Sequence, residues 1–131
     1  MDYNSDFRYD LEWGKRGENV VAEIVEGDKT EVKSERDGWS KTRNHFVEFA
    51  SRGKASGIAT TQAEWWTVNF FLHDEFIFNI TVPSIRLRHM CRNKKYRVVN
   101  GGDNNTSKGF LVPIVDLISA VSYTHLRAHE T

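Results

Sequence analysis

Three neighbouring segments carry most of the architectural information: Gly17-Glu-Asn-Val-Val-Ala-Glu-Ile-Val-Glu-Gly27, Lys29-Thr-Glu-Val-Lys-Ser34 and His45-Phe-Val-Glu-Phe-Ala50. In the first, Val20, Val21, Ile24 and Val25 recur at helical spacing, with Asn19, Glu23 and Glu26 on the opposite side. Gly27 is a suitable C-terminal stop. The second segment alternates, placing Glu31 and Lys33 on one face of a strand and Val32 on the other. The third does the same, pairing Phe46 with Glu48 and Val47 with Phe49. Residues 35–44 are polar and read as a loop, so the two strands are expected to form an antiparallel hairpin with a long connection.

Further along, Thr60 or Thr61 is expected to cap a short helical turn ahead of Ala63-Glu-Trp-Trp66. Residues 67–72 and 76–82 are rich in aromatic and β-branched side chains, and His73-Asp-Glu75 between them predicts a second hairpin. Pro83 suits the first turn of a helix running to about Arg92. Gly101-Gly-Asp-Asn-Asn-Thr-Ser107 is a turn cluster. Phe110-Leu-Val-Pro-Ile114 reads as a last short strand, Pro113 placing it near an edge, and a helix follows from Val115. Together these elements describe an α/β (α+β) domain, a small mixed sheet flanked by helices.

The 131 residues hold 39% hydrophobic and 27% charged side chains, which excludes collagen-like, coiled-coil and wholly disordered classes. Lys+Arg and Asp+Glu both number 18, so any basic surface must be local. With Cys91 alone, no intramolecular disulfide and no cysteine-based zinc site can form, which suits a reducing, cytoplasmic setting. No apolar run approaches the roughly 20 residues of a membrane-spanning helix. No repeat or linker interrupts residues 1–119, which read as one domain.

The segments above also gather chemistry-bearing side chains. At about 100° per residue Glu18 lies about 20° from Val25, at the border of the apolar stripe. A carboxylate there needs a compensating partner, either a cation or the positive end of the helix. Glu31 and Lys33 share a strand face, and Glu48 lies on the next strand. Three carboxylates and an ammonium are therefore expected at one end of the sheet. Hard cations such as Mg²⁺ take oxygen ligands of this kind and assist phosphodiester hydrolysis. By itself Glu-x-Lys is also the pattern of an ordinary solvated strand face.

A longer set of residues narrows the choice. Asp10-Leu-x-x-Gly14-x-x-Gly17-Glu18, Glu31-Val-Lys33-Ser-Glu-Arg-Asp37, Thr42-Arg-Asn44-x-Phe-Val-Glu48 and Arg52-Gly-Lys-Ala-Ser-Gly-Ile58-x-Thr-Thr61-x-Ala63-Glu-Trp-Trp66 together resemble phage-type nuclease-like proteins of the PD-(D/E)XK superfamily. The resemblance extends to residues 101–107 and 111–114. It implies a restriction-endonuclease-like core, a site dependent on Mg²⁺ (or Mn²⁺ in its place), DNA as substrate, and the cytoplasm, the host's if phage-encoded, as the place of action. Many members of the superfamily act as homodimers. On this resemblance Glu18 corresponds to the helix glutamate beside the metal, Glu31 and Glu48 to the acidic ligands, and Lys33 to a migrated catalytic lysine. A second mapping makes Asp28 the motif aspartate and Glu31-Val-Lys33 the whole (D/E)-x-K. The two-residue separation of Asp28 from Glu31 favours the first. Arg52, Lys54 and Ser56 are the DNA-contacting candidates, in a loop suited to a phosphate backbone.

The chain departs from the family pattern in three ways. No Pro-Asp precedes the core, Arg43 stands where a glycine is usual, and Ala50 occupies the position of the usual lysine. A non-catalytic DNA-binding or phage accessory protein that keeps the fold is therefore the alternative, and a protein-interaction module with a merely superficial acidic cluster is a third reading. Residues 120–131, Ala-Val-Ser-Tyr-Thr-His-Leu-Arg-Ala-His-Glu-Thr, resemble a translated sequencing adaptor. On that resemblance the natural sequence breaks off near Ser119, and the tail is non-native.

Overall fold

The structure, a computed structural model, describes residues 3–26 and 29–119. Asp28 and the tail from 120 to 131 lie outside the described residues. In chain order the elements are α1 (Tyr3–Val25), β1 (Thr30–Arg36), α2 (Trp39–Thr42), β2 (Asn44–Ser51) and β3 (Lys54–Ala55). A 3₁₀ turn (Gly57–Ala59) leads to β4 (Trp65–Leu72), β5 (Glu75–Pro83) and α3 (Ser84–Asn93). β6 (Val98–Gly101), a second 3₁₀ turn (Asp103–Asn105), β7 (Ser107–Pro113) and α4 (Ile114–Ile118) complete the fold. The class is mixed α+β, as expected. Two small sheets replace the single one expected: β1-β4-β5 and β3-β2-β7-β6.

The β4–β5 hairpin forms as the sequence predicts. Its strands pair antiparallel from Trp65↔Pro83 to Leu72↔Glu75, and the turn is only His73 and Asp74, both at positive φ. That geometry matches the twist of the flanking strands. Pro83 ends β5 and caps α3 in an extended conformation, one residue ahead of the first turn expected for it, and β7 leads into α4 through Pro113 in the same manner. Both helices then drop a leucine into the core, Leu87 and Leu117.

β1 and β2 do not form a hairpin. β1 pairs in parallel with β4, from Thr30↔Trp65 to Arg36↔Phe71, whereas β2 pairs antiparallel with β7 and β3. The residues read as a loop explain this. Glu35 and Arg36 extend β1, and α2 follows after a two-residue turn. The Asp37 amide donates to the Phe71 carbonyl (3.1 Å), and the Trp39 indole donates to the same oxygen (2.8 Å). Trp39 meets Phe70 and Phe78 edge-on at 5.2 and 5.4 Å. This anchor carries the chain past the end of the first sheet and starts β2 in the second.

Three smaller expectations also change. β7 is not an edge strand: it lies between β2 and β6, and Pro113 is tolerated because it is the last residue of the strand. No helical turn precedes Trp66. The 3₁₀ turn comes earlier, the Ala63 amide donates to the Thr61 hydroxyl (3.2 Å), and both tryptophans belong to β4. Alternation along β4 buries Trp66 and leaves Trp65 half-buried. The Val20, Val21 and Val25 stripe of α1 is exposed rather than covered.

The core is built from Trp66, Val68, Phe70 and Val82 of the first sheet, Val47 and Val112 of the second, and Leu87, Met90 and Leu117 of the helices. Cys91 adds a thiol that burial pushes up to about 12.

Candidate functional site

β1 is an edge strand, and its charged face looks inward. Glu31 is level with Trp66, Lys33 with Val68 and Glu35 with Phe70, all on the apolar side of the sheet. An edge makes this arrangement possible, because long side chains lay their stems on apolar surface while their heads reach water. Lys33 does so against Trp66, its ammonium 5.4 Å from the ring centroid, a favourable cation–π distance. On β2, His45 and Val47 face the core, while Phe46 and Glu48 face the other way.

A pocket of about 220 Å³ lies between the two strands, lined by Lys33, Glu35, His45, Phe46, Glu48 and Gly102. The structure thus brings Lys33 and Glu48 to one place although they belong to different sheets. Phe46 closes one side by lying across β7. A Cβ at Gly109 would come within 2.6 Å of its ring, so only glycine fits there.

Glu48 is held by the loop that follows it. The Ser56 hydroxyl donates to Glu48 Oε2 (3.0 Å), and Gly57, at φ +52°, presses so closely on the Glu48 carbonyl that a Cβ would stand 2.1 Å away. Ser56 is therefore committed to Glu48. Arg52 and Lys54 are exposed at the tip of the β2–β3 hairpin.

Glu35 was missed in the sequence because it sits in the polar run read as loop. Its Oε2 accepts from the His45 Nδ1–H (2.7 Å) and from the Phe46 amide (2.6 Å). His45 is 1% exposed, and its Nε2 accepts from the Trp66 indole (3.0 Å). An indole only donates, so Nε2 carries no proton and Nδ1 does. Trp66, His45 and Glu35 thus form a buried polar link between the two sheets at the side of the pocket. With both ring nitrogens occupied, His45 has none left for acid–base work on a ligand. The alternation of Glu31, Lys33 and Glu35 was the sequence signal available for this site.

The remaining candidates lie apart. Glu31 is half-buried on the same strand face as Lys33 but does not line the pocket. Glu18 is exposed on α1, not half-buried at a packed stripe. Among the described residues no three His, Cys, Asp or Glu side chains come together in a way that could hold a metal ion, so Glu18, Glu31 and Glu48 do not form such a group. Among the same residues no helix is long and apolar enough to cross a membrane. Compared with protein-family models, curated proteins and solved structures, the chain matches none.

Proposed function

We propose that this chain is a metal-dependent DNA nuclease with a PD-(D/E)XK-type core, hydrolysing phosphodiester bonds with Mg²⁺ or Mn²⁺ in the cytoplasm. The observation that supports it is the meeting of Lys33 and Glu48 in one pocket. Two strands of separate sheets deliver an ammonium and a carboxylate to the same opening, with the exposed cations Arg52 and Lys54 a short hairpin away. Glu48 keeps Oε1 clear of its bond to Ser56, while Glu31, a further hard oxygen donor on the Lys33 strand face, stands outside the pocket lining. These donors suit Mg²⁺ in kind, although the described residues supply no group of three. A bound ion would polarise the phosphate and supply an activated water. The part played by this chain's own residues is narrower: Lys33 stabilises negative charge gathering on the phosphate, and Arg52 and Lys54 hold the backbone.

The test is cleavage of plasmid and linear DNA by purified protein with Mg²⁺ or Mn²⁺, compared with Lys33→Ala and Glu48→Gln. Loss of at least about 100-fold in both variants is expected. Wild-type-like cleavage by both would refute the site.

A second reading, a non-catalytic DNA-binding or phage accessory protein, is favoured by particular observations. Ala50 replaces the usual lysine, and Glu48 and Glu35 each already spend one oxygen on protein donors. DNA retention without cleavage across divalent ions would select this reading.

A further inference from the structure

The chain is neutral overall, but its charge is not evenly spread. From Phe76 to Gly102 there is no Asp or Glu, while Arg86, Arg88, Arg92, Lys94, Lys95 and Arg97 all fall in this interval. All six fall in α3 and the loop between it and β6. α3 buries Ser84, Leu87, Met90 and Cys91, so its outward stripe runs through Ile85, His89 and Arg92, with Arg86 and Arg88 on the two borders.

The six cations differ in their commitments. Lys94 pairs with Asp116 at 3.5 Å. Arg88 donates through Nε to the Ile58 carbonyl and through Nη2 to that of Thr61, both at 3.1 Å. Those bonds tie α3 to the loop that begins at Ser56, the partner of Glu48. Among the described residues Arg86, Arg92, Lys95 and Arg97 make no ion pair, and Arg92, Lys95 and Arg97 are exposed. Between α3 and the loop lies a depression of about 250 Å³ lined by Phe49, Ile58, Ala59, Arg88, Arg92 and Phe110. Phe49 and Phe110 lie against each other there, their ring centroids 4.6 Å apart.

We infer that the outer side of α3 and the following loop, through Arg92, Lys95 and Arg97, form a docking surface for the phosphate backbone of nucleic acid. The inference rests on the reading above that DNA is the partner, and it assigns the main contact to a part of the fold separate from the Arg52–Lys54 hairpin. Asp116 reaches this loop but is taken up by Lys94 and Tyr96, so Arg92, Lys95 and Arg97 leave a local positive field that a neutral molecule otherwise lacks. Guanidinium groups beside paired aromatic rings suit phosphates, sugars and bases. Arg88 ties this surface to the loop that begins at Ser56, the partner of Glu48.

The experiment is titration of a fluorescent duplex DNA oligonucleotide in magnesium-free buffer over a range of salt. The proteins are wild type, Arg92→Glu/Lys95→Glu/Arg97→Glu, and a control with the same charge change elsewhere, Lys15→Glu/Arg36→Glu/Lys41→Glu. Thermal melts confirm folding. The α3 variant should lose at least about tenfold in affinity, and its slope of log K against log salt should fall by about 2.7 for three lost phosphate contacts. The control should lose clearly less on both measures. Equal losses in the two variants, or no DNA binding by wild type, overturn the proposal. So does binding of wild type to phosphatidylserine vesicles in place of DNA. Magnesium-dependent cleavage is scored separately. Its absence in wild type defeats the nuclease reading, while the titration still decides the α3 surface.

Discussion

α3 turns Leu87, Met90 and Cys91 into the core, whereas α1 leaves Val20, Val21 and Val25 42%, 58% and 74% exposed. Both helices carry an apolar stripe at helical spacing, so periodicity does not separate them. Attachment does. Pro83 joins α3 directly to β5, the Ser84 amide donates to the Glu64 carbonyl at 2.8 Å, and Arg88 adds two more bonds. α1 is held near its C-terminal end by polar contacts. The Thr30 hydroxyl donates to the Ile24 carbonyl (2.8 Å), and the Trp65 indole donates to Glu23 (3.3 Å). Beside them the Glu64 carboxyl is held below the usual carboxylate range by its hydrogen bond with Glu23 and then by the Lys29 ammonium. Amphipathic spacing thus specifies a helix and its faces, while covering the apolar face depends on what the neighbouring elements supply.

The largest effect that would break this contrast is on stability. Leu87→Ala should cost about 2–5 kcal/mol in urea unfolding, the range for emptying a fully buried leucine site. Val21→Ala on α1 should cost less than about 0.5 kcal/mol. Comparable losses would mean that α1 is packed after all.

The two adjacent tryptophans sharpen the comparison. Trp66→Phe removes the donor to His45 Nε2 and leaves a buried acceptor unpaired, so a loss of about 2–3 kcal/mol is expected. Trp65→Phe removes only the exposed bond to Glu23 and should cost less than about 0.5 kcal/mol. Denaturant midpoints of the two variants measure this, and a reversed order would contradict the buried link.

Cys91 gives the smallest effect and one tied to pH. Burial raises its thiol to about 12, so in the native protein it stays protonated where an unfolded thiol, near 9.0, ionises. Its contribution is fully present below about pH 9 and is lost as pH rises toward 12. Native protein at pH 8.5 should therefore react slowly with a disulfide reagent until denatured, and Cys91→Ala should flatten the alkaline decline in stability. Rapid stoichiometric labelling of the native form would contradict the burial.

Much of the architecture was legible in the sequence. The β4–β5 hairpin announced itself through two aromatic, β-branched runs and a very short turn, and Pro83 marked the start of α3. Alternation gave the faces of β1 and β2 correctly. It did not give their neighbours, because face and partner are different properties: Glu31 pairs with Trp66, far along the chain. The charged side of β1 faces the core only because the strand is an edge, a tertiary fact. β6, only four residues long, was hidden between the basic loop and the glycine turn. For the site, Lys33 and Glu48 were visible as motif residues and do share a pocket. Glu35 and His45 were not, because one lay in a polar run and the other carries no spacing signal. Glu18 rested on a packed helix stripe that the fold leaves open.

The cooperation of Lys33 and Glu48 is tested most directly by a double-mutant cycle on Mg²⁺-dependent DNA cleavage, using Lys33→Ala, Glu48→Gln and the combined variant. If both side chains serve one reacting phosphate, the combined variant should be hardly slower than either single one. Independent, multiplying losses, or a rate unaffected by both changes, would show that the two strands do not deliver a shared site.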